Sequence, residues 1–265
     1  MVAAAEPTGR LTGVESPGGI PRFLEPVRAH ALRAVLRAPF AEVFADLKAA
    51  RSVDGPVVLV FNPTCVYDAS IAMLVCDELR RRMWLAAAGS LVDAVPPLRN
   101  LGFFAVRRGD PLTAARQLGA IGRSARDDAG RAIVFFPEGG HVRPGLRVPA
   151  ERGAVTVARA AGAQIVPAAI QYEYFERARP FVYVRAAEPV ACGRGAAVDM
   201  RALLDDARAA LAADLLDGTG DYAPLVRRAR HTRLVANVPL DTRRVGRSGG
   251  PLYRHYVAST ERSAP

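Results

Sequence analysis

Short, unbroken apolar runs bounded by turn residues recur from residue 55 onward, and helical patterns fill the intervals between them. The first run, Val57–Phe61, is enclosed by a Gly-Pro and an Asn-Pro pair, which is typical of a strand buried on both faces. Further runs lie at Phe103–Val106, Ala132–Phe136, Ile165–Ile170 and Phe181–Arg185. Helical patterns cover residues 68–79, 112–125, 154–161 and 200–216. This alternation predicts an α/β domain with an open mixed sheet flanked by helices, which we place at residues 52–218.

The residues before the first run divide into a leader and a helical segment. Residues 1–21 are rich in Gly, Pro, Thr and Ser and predict a flexible leader. Residues 22–51 carry apolar residues at helical spacing on both sides of Pro39, which predicts a pair of N-terminal amphipathic helices. Such apolar stripes either lie on an anionic membrane or cover a sheet. The positions concerned are Leu24, Val27, Ala31 and Val35, then Phe40, Val43, Phe44 and Leu47.

Arginine dominates the charge of this chain, whose formal net charge is +10. Lys48 is the one lysine among 36 basic residues. Residues 219–265 form a predicted basic tail, with nine arginines against three acidic residues. The guanidinium fork suits phosphate and carboxylate groups, and coding bias in an Ala- and Arg-rich chain is the alternative explanation for the excess of arginine. Because no nucleic-acid-binding motif accompanies the arginines, we expect no nucleic-acid partner and interpret the charge as proximity to a membrane surface.

Polar segments follow several predicted strands at their carboxyl ends, where α/β sheets bind ligands. They are residues 62–68, 107–108, 137–141 and 171–173. An arginine pair beside a glycine-rich turn with exposed backbone N–H groups suits a phosphate. The residues therefore predict a site for a phosphorylated or carboxylated ligand, with a purely structural ion pair between Arg108 and Glu138 as the alternative.

Three of these segments and the predicted strand at residues 165–170 belong to four blocks whose order and spacing resemble the motif blocks of the glycerolipid acyltransferase superfamily, of the lysophosphatidic acid type. Residues 62–68 read Asn-Pro-Thr-Cys-Val-Tyr-Asp, residues 102–108 Gly-Phe-Phe-Ala-Val-Arg-Arg, residues 136–141 Phe-Pro-Glu-Gly-Gly-His and residues 165–170 Ile-Val-Pro-Ala-Ala-Ile. The resemblance covers roughly residues 55–195. It implies transfer of an acyl chain from a thioester of coenzyme A or acyl carrier protein to a hydroxyl of a phosphorylated, lipid-like acceptor.

The resemblance also assigns roles to residues. In the family, a histidine in the first block acts as general base and an aspartate five residues later orients it. Here Asp68 matches the aspartate, but Pro63 stands at the position of the histidine and offers neither a base nor a backbone N–H. The remaining matches imply substrate binding by Gly102, Arg108, Glu138, Gly139 and Gly140.

The loss of the motif histidine leaves several interpretations open. The protein is either an inactive member that binds acyl chains, lipid or a partner, or an enzyme whose base lies elsewhere. His141, one residue beyond the glycine turn, is the candidate for a relocated base. Cys65 is a candidate nucleophile, provided that a base or cation lies beside it. Weak catalysis by positioning alone is the last alternative.

Cysteine usage and hydropathy indicate the compartment. The three cysteines, Cys65, Cys76 and Cys192, have no paired spacing, so the sequence predicts neither a disulfide framework nor a metal site. No apolar stretch approaches the roughly 18 residues of a membrane-spanning helix. We therefore expect a cytoplasmic protein without metal or cofactor that works at the inner face of the membrane.

Overall fold

The computed structural model describes residues 21, 24–107, 111–140, 149–174, 179–193 and 197–227. Within these residues lie nine strands that form one mixed sheet. In chain order they are β1 Val43–Asp46, β2 Val57–Phe61, β3 Arg82–Ala88, β4 Phe103–Val106, β5 Arg131–Phe135, β6 Gln164–Glu173, β7 Phe181–Ala186, β8 Val190–Ala191 and β9 Ala223–Val226.

The sheet has the order β4-β3-β5-β2-β6-β7-β1-β9, and β8 pairs with β6 beside this path. The five strands from β4 to β6 are parallel to one another, so their carboxyl ends share one edge. The direction reverses at β7, which is antiparallel to β6, and again at β9, which is antiparallel to β1. An open mixed sheet is therefore confirmed.

Helices cover both faces of the sheet. They are α1 Glu25–Leu36, α2 Lys48–Arg51, α3 Asp68–Glu78, α4 Gly89–Ala94, α5 Pro111–Ala125, α6 Gly153–Ala161 and α7 Met200–Asp217, with a 3-10 helix at Pro96–Leu101. Apolar residues of α1 and α3 pack on one face. Those of α5, α6 and α7 pack on the other, where alternate residues of the central strands point. The described helices include none that is long and apolar enough to cross a membrane.

Of the predicted pair of N-terminal helices at residues 22–51, the structure contains the first but not the second. The first helix is present as α1, but its predicted apolar stripe faces outward: Val27 and Val35 are exposed, whereas Leu36 is buried. The second helix was predicted wrongly, because Val43–Asp46 is β1, parallel to β7. Val43 and Phe44 are both buried, on opposite faces of the sheet. The segment pairs with β7 on one side and β9 on the other, and a strand inside a sheet with helices on both faces buries consecutive residues in this way.

Two strands, β9 and β3, also differ from the expectation. Residues 223–226, which lie inside the predicted basic tail at residues 219–265, form β9 and pair with β1. β3 has no counterpart among the predicted strands, because its sequence is rich in alanine and lacks the apolar alternation of a strand. The rest of the tail from residue 228, and the leader apart from Pro21, lie outside the described residues.

Strand length determines what meets at the carboxyl edge of the sheet. Phe61, the last residue of β2, pairs with Ala168 of β6. β6 continues to Glu173, so its end extends five residues past the end of β2. The chain that leaves β2 toward α3 therefore runs beside the extended end of β6.

Candidate active site

Asp68 is the centre of a buried polar cluster at the carboxyl end of β2. It is the first residue of α3 and only 2% exposed. Its Oδ2 accepts hydrogen bonds from the backbone N–H groups of Thr64 and Cys65, the latter at 2.7 Å. Its Oδ1 accepts a hydrogen bond from the hydroxyl of Tyr172, at the end of β6. Burial of a carboxylate is costly unless such donors surround it, so the loop and the strand hold Asp68 in one orientation.

Cys65 lies beside the same hydroxyl. Its Sγ is 3.1 Å from the Tyr172 hydroxyl oxygen and 3.7 Å from Asp68 Oδ1, and it accepts a hydrogen bond from the Tyr67 N–H at 3.4 Å. Burial raises the pKa of the Cys65 thiol, and the charge of Asp68 adds to this effect. Burial and the same carboxylate raise the pKa of Tyr172. Both groups therefore keep their protons at neutral pH.

The position of the motif histidine holds no base. Pro63 is buried directly after Asn62, whose side chain extends the sheet. The Asn62 amide accepts from the N–H of Ile170 at 2.7 Å and donates to its carbonyl oxygen at 3.0 Å. Of the four histidines, only His30 lies among the described residues, exposed on α1. His141 lies outside the described residues, so its role stays a prediction.

Glu138 follows β5 and turns toward α7. Its carboxylate is fully buried and accepts hydrogen bonds from Arg208 Nη2 at 2.8 and 2.7 Å, with Arg201 Nη1 at 3.5 Å. Because α7 packs on the face opposite α3, this carboxylate lies on the other side of the sheet from Asp68. Its ionic partners are thus arginines of α7, which the sequence did not single out, while Arg108 lies outside the described residues.

The glycines of the motif blocks have different surroundings. Gly139 has a positive φ of 72° in the turn after β5, and both it and Gly140 are exposed at the carboxyl edge of the sheet. Gly102 instead lies at the amino end of β4, with φ +89°. A Cβ at Gly102 would lie 2.3 Å from the carbonyl oxygen of Met83, so close packing of β4 against β3 explains the glycine there. Arg107 is exposed and forms an ion pair with Asp93 at 3.1 Å.

Tyr172 is the side chain of the cluster whose role the sequence did not identify. The sequence predicts residues 171–173 as a ligand-binding segment, but nothing in it indicates which of them reaches Asp68. The ring of Tyr172 packs against the core and lies 5.8 Å from the ring of Phe40. Among the described residues, no three His, Cys, Asp or Glu side chains are grouped so that they could hold a metal ion.

Comparison with known proteins supports the motif resemblance. A family model described as Acyltransferase matches residues 41–171, which include the polar cluster around Asp68 and the turn at Glu138. The fold is similar to the crystal structure of the 1-acyl-sn-glycerophosphate (LPA) acyltransferase PlsC from Thermotoga maritima, with a TM-score of 0.51 and 15% sequence identity over 73% of this chain and 83% of that chain. Curated protein sequences give no significant match. The family match over residues 41–171, together with the motif blocks and the fold, supports placing this chain in the glycerolipid acyltransferase superfamily.

Proposed function

We propose that this protein transfers an acyl chain from a thioester of coenzyme A or acyl carrier protein to a hydroxyl of a phosphorylated, glycerolipid-like acceptor. The observation that carries the proposal is the buried, oriented carboxylate of Asp68 at the carboxyl end of β2. In this superfamily, the aspartate of the first block serves the proton transfer that activates the acceptor hydroxyl. Here the loop keeps the carboxylate ordered although Pro63 replaces the imidazole.

The proton of the attacking group has two possible destinations. One is His141, which follows the glycine turn of the third block. The other is Asp68 itself, reached through the side chains that hydrogen-bond to it. The acceptor phosphate would lie at the exposed Gly139–Gly140 turn, with Arg108 as its cationic partner, since backbone N–H groups and a guanidinium together suit that group.

The test measures thiol release from an acyl-coenzyme A in the presence of a lysophosphatidic acid. Wild type, Asp68→Asn and His141→Ala are compared, with His30→Ala as the matched control because that histidine is exposed on α1. We expect acceptor-dependent turnover in wild type, little change in the control and a loss of ~10²–10⁴-fold in Asp68→Asn. A similar loss in His141→Ala identifies the relocated base, and an unchanged rate removes His141 from the mechanism. A wild type that binds neither thioester nor lipid would refute the proposed function.

The second candidate function is that of an inactive member that binds acyl chains or lipid. Its support is specific: Pro63 supplies no base, and hydrogen bonds from Thr64, Cys65 and Tyr172 already occupy Asp68. This candidate predicts saturable binding of acyl-coenzyme A without thiol release. Equilibrium binding measured beside the turnover assay separates the two functions.

The proposed acceptor lies in or near a bilayer, and α1 offers a surface for it. Leu24, Val27 and Val35 are 40%, 64% and 62% exposed on the outer side of this helix, beside Arg33 and Arg37. Apolar residues flanked by arginines suit an anionic lipid surface. Val27→Asp should therefore weaken sedimentation with anionic vesicles, whereas Leu112→Asp, an equally exposed apolar position on α5, should have little effect.

A further inference from the structure

Three side chains from two separate parts of the chain form a continuous hydrogen-bonded series. Cys65 lies in the loop before α3, Asp68 begins that helix, and Tyr172 comes from the extended end of β6. The thiol is placed to donate to the Tyr172 hydroxyl oxygen at 3.1 Å, and that hydroxyl donates to Asp68 Oδ1. The order is nucleophile, relay and carboxylate, which is the arrangement expected of an activated nucleophile whose proton acceptor is oriented by a third group.

We propose that Cys65 receives the acyl chain from the thioester as a covalent intermediate and that Tyr172 passes the thiol proton to Asp68. This inference rests on the proposed function and gives its route. Cys65 Sγ forms a bond to the acyl carbonyl carbon as the bond to the donor sulfur breaks. The thiol proton moves to the Tyr172 oxygen while the hydroxyl proton of Tyr172 moves to Asp68, and the departing thiolate recovers a proton by the reverse transfer. The acceptor hydroxyl then attacks the acyl-Cys65, and its proton returns to the cysteine sulfur through the same relay.

A relay is needed because this thiol does not ionise readily. Burial and the charge of Asp68 raise the pKa of Cys65, so the attack must be accompanied by proton removal, as for a hydroxyl nucleophile. The raised pKa of Tyr172 keeps its hydroxyl protonated and directed at Asp68. Cys65 is only half-buried, and Val66 and Tyr67 directly after it are exposed, so a thioester can approach from solvent.

Cys192 provides a matched comparison within the same chain. It is also half-buried, and burial raises the pKa of its thiol as well. Its sulfur, however, lies 3.9 Å from the Val190 carbonyl oxygen and is hydrogen-bonded to the backbone of Ile165, and no carboxylate relay lies beside it in the described residues. If exposure alone governed acylation, Cys65 and Cys192 would react alike.

The experiment incubates the full-length protein with palmitoyl-coenzyme A, quenches in acid and maps the acyl adduct by mass spectrometry. We expect one hydroxylamine-labile acyl group on the peptide that contains Cys65 and none on Cys192. Tyr172→Phe should slow this acylation by ~10²-fold or more, because the thiol loses its short contact to the relay and keeps only the 3.7 Å contact to Asp68 Oδ1. Cys192→Ala should leave the rate unchanged. Near-UV circular dichroism of each variant verifies that the fold is retained.

Each outcome decides the inference separately from the proposed function. Absence of an adduct on Cys65, equal labelling of Cys192, or an unchanged rate in Tyr172→Phe overturns the relay. If Cys65→Ala retains full acceptor-dependent turnover, the covalent route is wrong and the acyl transfer itself stands. If the adduct forms but no acceptor removes it, the covalent step stands and the proposed acceptor is wrong.

Discussion

Removal of Arg208 tests how the third motif block is held in place. Glu138 has a fully buried side chain, whereas the side chain of Arg208 is 30% exposed. One guanidinium nitrogen of Arg208 contacts both oxygens of the carboxylate at 2.7 and 2.8 Å. Arg201 approaches the same carboxylate only to 3.5 Å and also pairs with Asp205. The substitution Arg208→Met therefore leaves a buried carboxylate with one distant partner, while methionine retains most of the aliphatic stem.

The magnitude follows from this geometry. Breaking a buried ion pair by removing one partner costs roughly 3–5 kcal/mol. Solvent reaches part of Arg208 and Arg201 remains nearby, so we expect a loss of about 2–3 kcal/mol. For a domain of this size, 1 kcal/mol corresponds to a Tm shift of about 2–4 °C, which gives a decrease of about 4–12 °C. Arg201→Met should cost about 1 kcal/mol or less, because its contact with Glu138 is longer.

The assay is urea unfolding of Arg208→Met, Glu138→Leu and the double variant, analysed as a double-mutant cycle. The double variant should recover much of the loss, because it buries no unpaired charge. Additive effects in the cycle, or an Arg208→Met variant within about 0.5 kcal/mol of wild type, would refute the view that this ion pair supports the turn.

Three further outcomes test other parts of the structure. Gly102→Ala should cost roughly 2–4 kcal/mol in urea unfolding through its positive φ and a carbonyl 2.3 Å away, whereas Gly140→Ala, which meets nothing within 4 Å, should change little. Burial raises the pKa of Glu173, so the stability that its protonated form contributes is lost as the pH rises through its pKa in the folded protein. In urea unfolding, Glu173→Gln should therefore gain stability relative to wild type from about pH 4 toward neutrality. In the thiol-release assay, the double variant Pro63→His/Tyr172→Phe should turn over about 10²-fold faster than Tyr172→Phe alone, whereas Pro63→His by itself should give no gain. The reason is that the Tyr172 hydroxyl occupies Asp68 Oδ1, with which the new imidazole would have to pair.

The sequence predicts the strands and helices that have a clear apolar pattern of their own, and it misses the strands that form because neighbouring strands pair with them. Val57–Phe61 is apolar throughout and bounded by turns, and it is β2 with the predicted limits. Val43–Asp46 has helical spacing, yet it is a strand because β7 and β9 provide hydrogen-bonding edges on both sides. β3 is alanine-rich, and its place between β4 and β5 makes it a strand.

In the candidate site, too, the sequence predicts Asp68 but not Tyr172, and the pairing register of β2 and β6 explains why. The sequence alone places Asp68 after a buried strand, but it cannot reveal that β6 extends beyond β2. Once the pairing of Phe61 with Ala168 is known, side-chain alternation selects among the last residues of β6. Ala168 and Ile170 face the α3 side, so Tyr172 does as well, whereas Gln171 has the opposite orientation. A shift of register by one residue would remove the hydroxyl from Asp68, so the polar cluster depends on the pairing of two strands that the motif blocks do not specify.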